Sequence, residues 1–308
     1  MAQVLVVGSV NTDLTAKVRE FPLPGETLHG SSLSYSPGGK GNNQATAARR
    51  AGSNVIMAGR IGRDALAKPL LDHFAREGID VSRLLETDLP TGCALIEVRE
   101  RDAENVIVVI PGANFAVSPR DLDPLGAVFD SSDAVLCQLE IPFETVEKAL
   151  RMGKERGKLT VLNPAPAAPL PDSIFPLIDY FTPNETEAAS LSGLPAESEE
   201  DLVRIAGHFL SRGAGNVVIT LGVRGSFFMN GRERFFVPAF PVKAADTTGA
   251  GDAFSGALTA RLAEGAEIRE ALSFAAAFSA ISVTRPGAAS SMPTWKETED
   301  FLRSVSAG

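Results

Sequence analysis

The sequence predicts an α/β fold: a doubly wound, mostly parallel central sheet flanked by helices, carrying a small additional β-sheet as a lid. Three observations point there. Short β-branched runs alternate with amphipathic helical segments, the pattern of βα units and a parallel sheet. Polar residues follow the carboxyl ends of these runs, after Val7, Leu139, Phe181 and Leu221, where open α/β sheets bind ligands. Two stretches, about 14–36 and 93–110, instead read as extended segments and turns without helix. No repeat, low-complexity tract or long linker divides the 308 residues, so the chain reads as one domain with a lid inserted at those two places.

Taken in order, residues 4–7 form an apolar run suited to a central strand covered on both faces. Gly8-Ser9 ends it, and Asn11-Thr12-Asp13 follows as either a turn or a set of ligand groups. Pro22, Pro24, Gly25 and Gly30 punctuate the first lid stretch. Ser36-Pro37-Gly38-Gly39-Lys40-Gly41-Asn42-Asn43-Gln44 is a glycine-rich turn leading into a helix over 45–51. It is not a P-loop, because Gly41 stands where Ser or Thr should follow Gly39-Lys40. A strand over 55–59 and a helix over 65–77, stopped by Gly78, come next. The segments 93–98 and 105–110 around a polar turn make a hairpin. Beyond them come a strand over 134–139 ending at Glu140, a helix over 143–156, and a strand over 159–162 before Asn163-Pro164.

Tyr180-Phe181-Thr182 leads to Asn184 and Glu187, three apart, for which a capping box is the simplest reading. A helix over 201–211 and a strand over 217–221 precede Gly222-Val223-Arg224-Gly225 and a second hairpin, 226–229 with 234–237. Asp246-Thr247-Thr248-Gly249-Ala250-Gly251-Asp252 then opens an amphipathic helix over 253–262, and a further helix spans 268–281. Gly249 and Gly251 let a ligand approach the backbone, and the free N–H groups of a helix start attract an anion, most often a phosphate. Into that anion site the chain places a carboxylate, Asp252.

Composition narrows the function. Charged residues at 22% and hydrophobic ones at 44% suit a soluble globular protein, and a net charge of -9 argues against nucleic-acid or anionic-membrane partners. The two cysteines, Cys93 and Cys137, have no metal-type spacing and imply a reduced, cytoplasmic setting. The N-terminus lacks a basic n-region and reads as a strand. The longest mostly apolar run, 271–283, is too short to span a bilayer. His29, His73 and His208 form no cluster.

The stretch 38–44 together with 246–252 resembles the paired signatures of the ribokinase, or pfkB, family of sugar and nucleoside kinases. The likeness runs nearly the full chain through Gly8-Ser9-Val10-Asn11-Thr12-Asp13, Phe21-Pro22-Leu23-Pro24-Gly25-Glu26-Thr27, Pro111-Gly112-Ala113-Asn114, Leu162-Asn163-Pro164-Ala165-Pro166, Thr182-Pro183-Asn184-Glu185-Thr186-Glu187 and Val283-Thr284-Arg285-Pro286-Gly287-Ala288.

The resemblance implies ATP-dependent phosphorylation of the ribose 5-hydroxyl. Asp252 would be the base, with the amides of Gly249, Ala250 and Gly251 as the anion hole. Sugar-binding positions carried over are Asn11, Thr12, Asp13, Gly39, Lys40, Gly41, Asn42, Asn43 and Glu140. Nucleotide-binding positions are Asn184, Thr220, Leu221, Gly222, Val223, Arg224, Gly225, Gly251 and Ala276. Glu187 would place Mg²⁺ through water, and oxygens of Asp246, Thr248, Ser282, Arg285, Gly287 and Ser291 would hold a monovalent cation, K⁺. The lid would also make a homodimer contact.

Three positions depart from the family pattern. Gly249 stands where some members carry alanine, an exchange expected to matter little because the hole is backbone. Ala276 replaces a polar group near the adenine, and Asn42 a small residue in the sugar loop. Within the family, kinases of 2-deoxyribose, fructose or adenosine are the alternatives. Outside it stands a non-catalytic sugar-binding protein on the same fold, against which Asp252, Glu187 and the glycine turn argue.

Overall fold

In a computed structural model, residues 1–102 and 104–306 are described. The first part comprises β1 (Gln3–Val7), β2 (Asn11–Val18), β3 (Ser32–Gly38), α1 (Lys40–Arg50), β4 (Asn54–Gly62), α2 (Ala67–Glu77), β5 (Asp80–Thr87), β6 (Gly92–Arg99) and β7 (Asn105–Ile110). Then follow α3 (Gly126–Ser131), β8 (Ala134–Cys137), α4 (Phe143–Glu155), β9 (Leu159–Leu162), β10 (Tyr180–Phe181), α5 (Glu185–Ser192) and α6 (Glu199–Ser211). The last part holds β11 (Asn216–Thr220), β12 (Ser226–Asn230), β13 (Arg234–Val237), α7 (Ala250–Ala263), α8 (Ile268–Ser282) and α9 (Trp295–Ser306).

The main sheet runs β13-β12-β11-β10-β9-β8-β1-β4-β5, parallel except for the β11-β12-β13 end. Its central strand shows why the apolar runs lack alternation. Val4 and Val6 of β1 face a layer built from α1, α2, α7 and α8, while Leu5 and Val7 face one built from α4 and α6. Both faces are dry, so every position is apolar. A second sheet, β3-β2-β6-β7, pairs β2 with β6 in parallel and its other neighbours antiparallel. Ala103, which the sequence places in the polar segment between the two arms of the hairpin, lies outside the described residues. Among the described residues, no helix is long and apolar enough to cross a membrane.

Asn114 ties the two sheets together. Its Oδ1 accepts from the Val10 N–H at 2.9 Å, and its Nδ2 donates to the Val10 carbonyl at 3.1 Å and to Asn11 Oδ1 at 2.7 Å. A Cβ on Gly92 would stand 2.2 Å from Asn114 Nδ2, so only glycine lets β6 start beside this knot.

α6 starts two residues earlier than the periodicity predicts, at Glu199, and two other helices start about a turn early. α1 begins at Lys40 instead of 45, and α7 at Ala250 instead of 253. The extra turns carry polar residues that no amphipathic pattern marks as helical, because they face a site rather than the core. β5, α3 and α9 go unpredicted from sequence. The exposed, polar-rich β5 has no strand signature of its own and is held by its pairing with β4.

Candidate active site

The chain leaves β1 toward β4, while β8 lies on the other side of β1, which makes the carboxyl end of β1 and β8 the switch point of the sheet. Ser9 follows β1 and Glu140 follows β8. Ser9 Oγ donates to Glu140 Oε2 at 2.6 Å, and the Lys40 N–H donates to the same oxygen at 2.9 Å. The Gly41 N–H donates to Ser9 Oγ at 3.2 Å, and the Asn42 N–H to the Ser9 carbonyl at 2.9 Å. The open N–H groups of α1 are thus capped from two other elements, with a carboxylate at the positive end of the helix. A Cβ on Gly41 would lie 2.5 Å from the Ser9 backbone, which explains the glycine. This first glycine turn is filled by the protein's own groups.

The second is different. Gly249, at φ 74°, caps α7, and the Ala253 N–H makes a 2.8 Å bond to the Gly249 carbonyl. The Ala250 N–H already donates to the Thr247 carbonyl at 3.2 Å, which leaves the N–H groups of Gly251 and Asp252 to face an anion. Asp252, 6% exposed, receives a hydrogen bond on each oxygen: Asn43 Nδ2 to Oδ2 and Gln44 Nε2 to Oδ1, both at 2.9 Å. Asn43 and Gln44 reach it because α1 and α7 pack closely. A Cβ on Gly256 would come within 2.5 Å of Ala47 Cβ and the Gln44 carbonyl.

Charge gathers at the same place. Burial, then Glu140 and Asp252, push the Asp13 carboxyl up to about 7. Gly38 makes room for it, since a Cβ there would sit 2.2 Å from both Asp13 oxygens. The Lys40 ammonium is held above its ordinary range by Asp252, against burial and with help from Glu140 and Glu187. Glu187 is raised by burial and by Asp252, despite the Asn184 N–H and Lys40. One half-buried lysine therefore serves several carboxylates. Lys40, Asn184, Glu187, Thr220 and the first turn of α7 line a cleft of about 160 Å³ with Thr247, Asn163, Thr182 and Ser255.

Residues 1–295 match the sequence profile of the pfkB family carbohydrate kinases. The chain belongs to the pfkB family. It is 42% identical over 298 residues to a ribokinase of Haemophilus influenzae, covering 96% of this chain and 97% of that protein. It is 40% identical over 297 residues to a bifunctional ribokinase/ribose-5-phosphate isomerase A of Fructilactobacillus sanfranciscensis, spanning 96% of this chain and 55% of that longer protein. The structure of an Arabidopsis thaliana ribokinase complexed with ribose and ATP superposes with a TM-score of 0.94 at 30% identity, over 98% of this chain and 99% of that one.

The other positions carried over from the pfkB family fall in three groups. Asn11 and Asp13 alternate with Thr12 along β2, and Thr12, fully buried between β3 and β6, turns its hydroxyl to the Leu66 carbonyl at 2.7 Å, so the side chain expected to bind the sugar is not free to do so. Asn42 is fully buried, its Nδ2 3.3 Å from Asn43 Oδ1 and its own Oδ1 without a partner. On the nucleotide side the capping box between Asn184 and Glu187 is present, and Asn184 bridges to Thr220. Gly222–Arg224 forms a 3-10 turn that leaves Val223 exposed and pairs Arg224 with Glu185, while Leu221 and Ala276 belong to the two apolar cores. Gly225, at φ 91°, is required where a Cβ would meet the Val237 carbonyl.

In the third group, Asp246 accepts from the N–H groups of Thr248 at 2.9 Å and Gly287 at 2.8 Å. Burial pushes its carboxyl up, but these bonds outweigh it and hold it below the usual range. Ser282 and Ser291 donate to carbonyls of their own turns, and Arg285 pairs with Glu297. Sequence reasoning missed Ser9, Gln44, Asn114 and Asn163 as site residues. Each lay inside a quoted motif, yet none bears a charge that would single it out.

Proposed function

We propose that the chain transfers the γ-phosphoryl group of ATP to the 5-hydroxyl of D-ribose, giving ribose 5-phosphate and ADP. The observation that carries this reading is Asp252: a carboxylate at a helix start with two open amides, held by α1 and facing a cleft. A buried carboxylate there has the position of a base that accepts the hydroxyl proton while the oxygen attacks phosphorus. Proton removal of this kind contributes roughly 10²–10⁴-fold. The N–H groups of Gly251 and Asp252 receive the charge of the phosphoryl group in flight, the Ala250 N–H of the expected anion hole being taken by the Thr247 carbonyl, and Lys40 adds its ammonium beside them. Asn11, Asp13, Gly39, Lys40, Gly41, Asn43 and Glu140 hold the sugar, since carboxylates and amides can each engage neighbouring hydroxyls. Asn184 and 220–225 hold the nucleotide.

The donor sets suit the two cations. Glu187 commits one carboxylate oxygen to the Asn184 N–H and lies half-buried near Asp252, an excess of negative charge that Mg²⁺ would relieve through water. Bound with ATP, Mg²⁺ would neutralise charge on the phosphates. Asp246 pins the loop before α7 to the loop at Gly287, and with the side chains engaged, the donors for K⁺ are mainly backbone oxygens of Asp246, Thr248, Ser282, Arg285, Gly287 and Ser291.

The small sheet supports a homodimer. Val106, Ile107, Val108, Val109 and Ile110 of β7 are each 40–54% exposed on both faces of an edge strand, and Leu33, Tyr35 and Leu95 add to one face. Such an edge invites pairing unless another chain covers it. The buried free thiols Cys93 and Cys137 accord with a cytoplasmic protein. A coupled ATPase assay over ribose, 2-deoxyribose, fructose and adenosine tests the substrate. Ribose should give the highest kcat/KM; if it gives the lowest, the proposal fails.

A further inference from the structure

Gln138, Asn163 and Thr182 follow directly on the ends of β8, β9 and β10, three neighbouring strands whose last residues are in register. Their side chains and backbone form a directed chain of hydrogen bonds. Asn163 Nδ2 donates to the Thr182 carbonyl at 2.7 Å. Its Oδ1 then accepts from Gln44 Nε2 at 2.9 Å. The second hydrogen of Gln44 Nε2 goes to Asp252 Oδ1, also at 2.9 Å. Gln44 Oε1 accepts from Gln138 Nε2 at 2.7 Å.

An amide side chain has two nearly isosteric orientations, so something must decide which end faces Asp252. Here a backbone carbonyl decides. The Thr182 carbonyl oxygen can only accept, and the chain on either side of it is held by the Thr182 N–H bond to the Leu162 carbonyl and the Thr220 N–H bond to the Pro183 carbonyl, both at 3.0 Å. The oxygen requires a donor from Asn163, which turns the Asn163 oxygen toward Gln44, which in turn presents its donor to Asp252. Gln44 reversed would set oxygen against oxygen at both Asn163 and Asp252. Gln44 and Gln138 are fully buried, Thr182 is 1% and Asn163 6% exposed, so water does not stand in for a lost partner.

We infer that Gln44 and Asn163 are positioning residues for Asp252: they fix the rotation of its carboxylate so that one oxygen meets the acceptor hydroxyl. The inference rests on the proposed role of Asp252 as base, and not on which sugar is bound.

The test is a double-mutant cycle on the full chain with Gln44→Met and Asn163→Leu, which keep volume and remove the amides. Turnover is read on whichever of the four acceptors the unmodified protein uses best, so a wrong choice of sugar sinks the substrate proposal and leaves the cycle readable. Each single variant should lose about 10- to 100-fold in kcat, the scale set by misorienting a reacting group. KM values for sugar and ATP should stay within about threefold. The double variant should fall no more than about threefold below Gln44→Met, because both act through one contact. Gln44→Glu, of the same shape, replaces the donor by a second carboxyl group against Asp252; it should lose at least as much in kcat, with a shifted pH profile, and serves if the Met variant does not fold.

Multiplying losses, losses confined to KM, or folded variants with unchanged kcat would overturn the inference, as would all three variants failing to fold. A chain that phosphorylates none of the four acceptors overturns both this inference and the proposed function.

Discussion

Asn43 Nδ2 donates to Asp252 Oδ2 at 2.9 Å, so the first turn of α1 holds the carboxylate that opens α7. The two helices carry the two motifs that stand out in the sequence, and this bond is where they meet. Replacing Asp252 by Asn keeps the shape and removes the proton acceptor. Turnover should fall by roughly 10²–10⁴-fold while ribose and ATP still bind. Steady-state kinetics with calorimetric binding of each ligand checks this; unchanged turnover would remove Asp252 as the base.

Asp13 gives the site a pH dependence. Its carboxyl, pushed up to about 7 by burial and by Glu140 and Asp252, is protonated in the empty site at mildly acidic pH. The folded value lies above the unfolded one, so the folded state holds the extra proton between about 4 and about 7 and its stability declines as pH rises through that window. A sugar that hydrogen-bonds to the carboxylate favours the ionised form. Ribose affinity should therefore weaken several-fold from pH 8 to pH 6, a trend that Asp13→Asn abolishes along with most of the affinity. The same variant should melt higher than the unmodified protein at pH 8, a trade of stability against function. Calorimetry and thermal melts across pH measure both; an affinity flat with pH in the unmodified protein would count against the role of Asp13.

Gly249 contradicts the expectation that glycine and alanine exchange freely there. Its φ of 74° disfavours a side chain, and a Cβ would stand 2.9 Å from Ala288 Cβ, on the loop that Asp246 ties to Thr248. The left-handed conformation alone costs alanine about 1–2 kcal/mol. Gly249→Ala should lower the melting temperature by a few degrees. It should also cut kcat about tenfold or more, because the loop shifts the amides that receive the phosphoryl group. A variant with unchanged kcat would show that the loop accommodates the methyl without moving α7.

The fold was legible because the apolar runs of β1, β8 and β11 and the helices between them carry their burial in their composition. The charged members of the site were legible because a carboxylate such as Asp252 is out of place at an anion-binding helix start. The amides were not. Gln44, Asn163 and Gln138 reach the site only through partners 94 to 208 residues away in the chain, a relation that no local pattern encodes. Nor was the early start of α1, whose first turn is capped by Glu140 rather than by a neighbour in sequence.

The edge of the small sheet allows a last test. Tyr35, Leu14, Leu95 and Val108 stand opposite one another across β3, β2, β6 and β7, and three of the four are 43–56% exposed. An apolar row of this kind crossing a four-stranded sheet needs a cover, and a second copy offers an equally apolar one. Val108→Lys places a charge in that row without touching the cleft around Asp252. Sedimentation velocity should then give a particle of half the mass, with the far-ultraviolet circular dichroism unchanged. Should the unmodified protein sediment as a monomer, or Val108→Lys stay dimeric, the row is not the dimer contact.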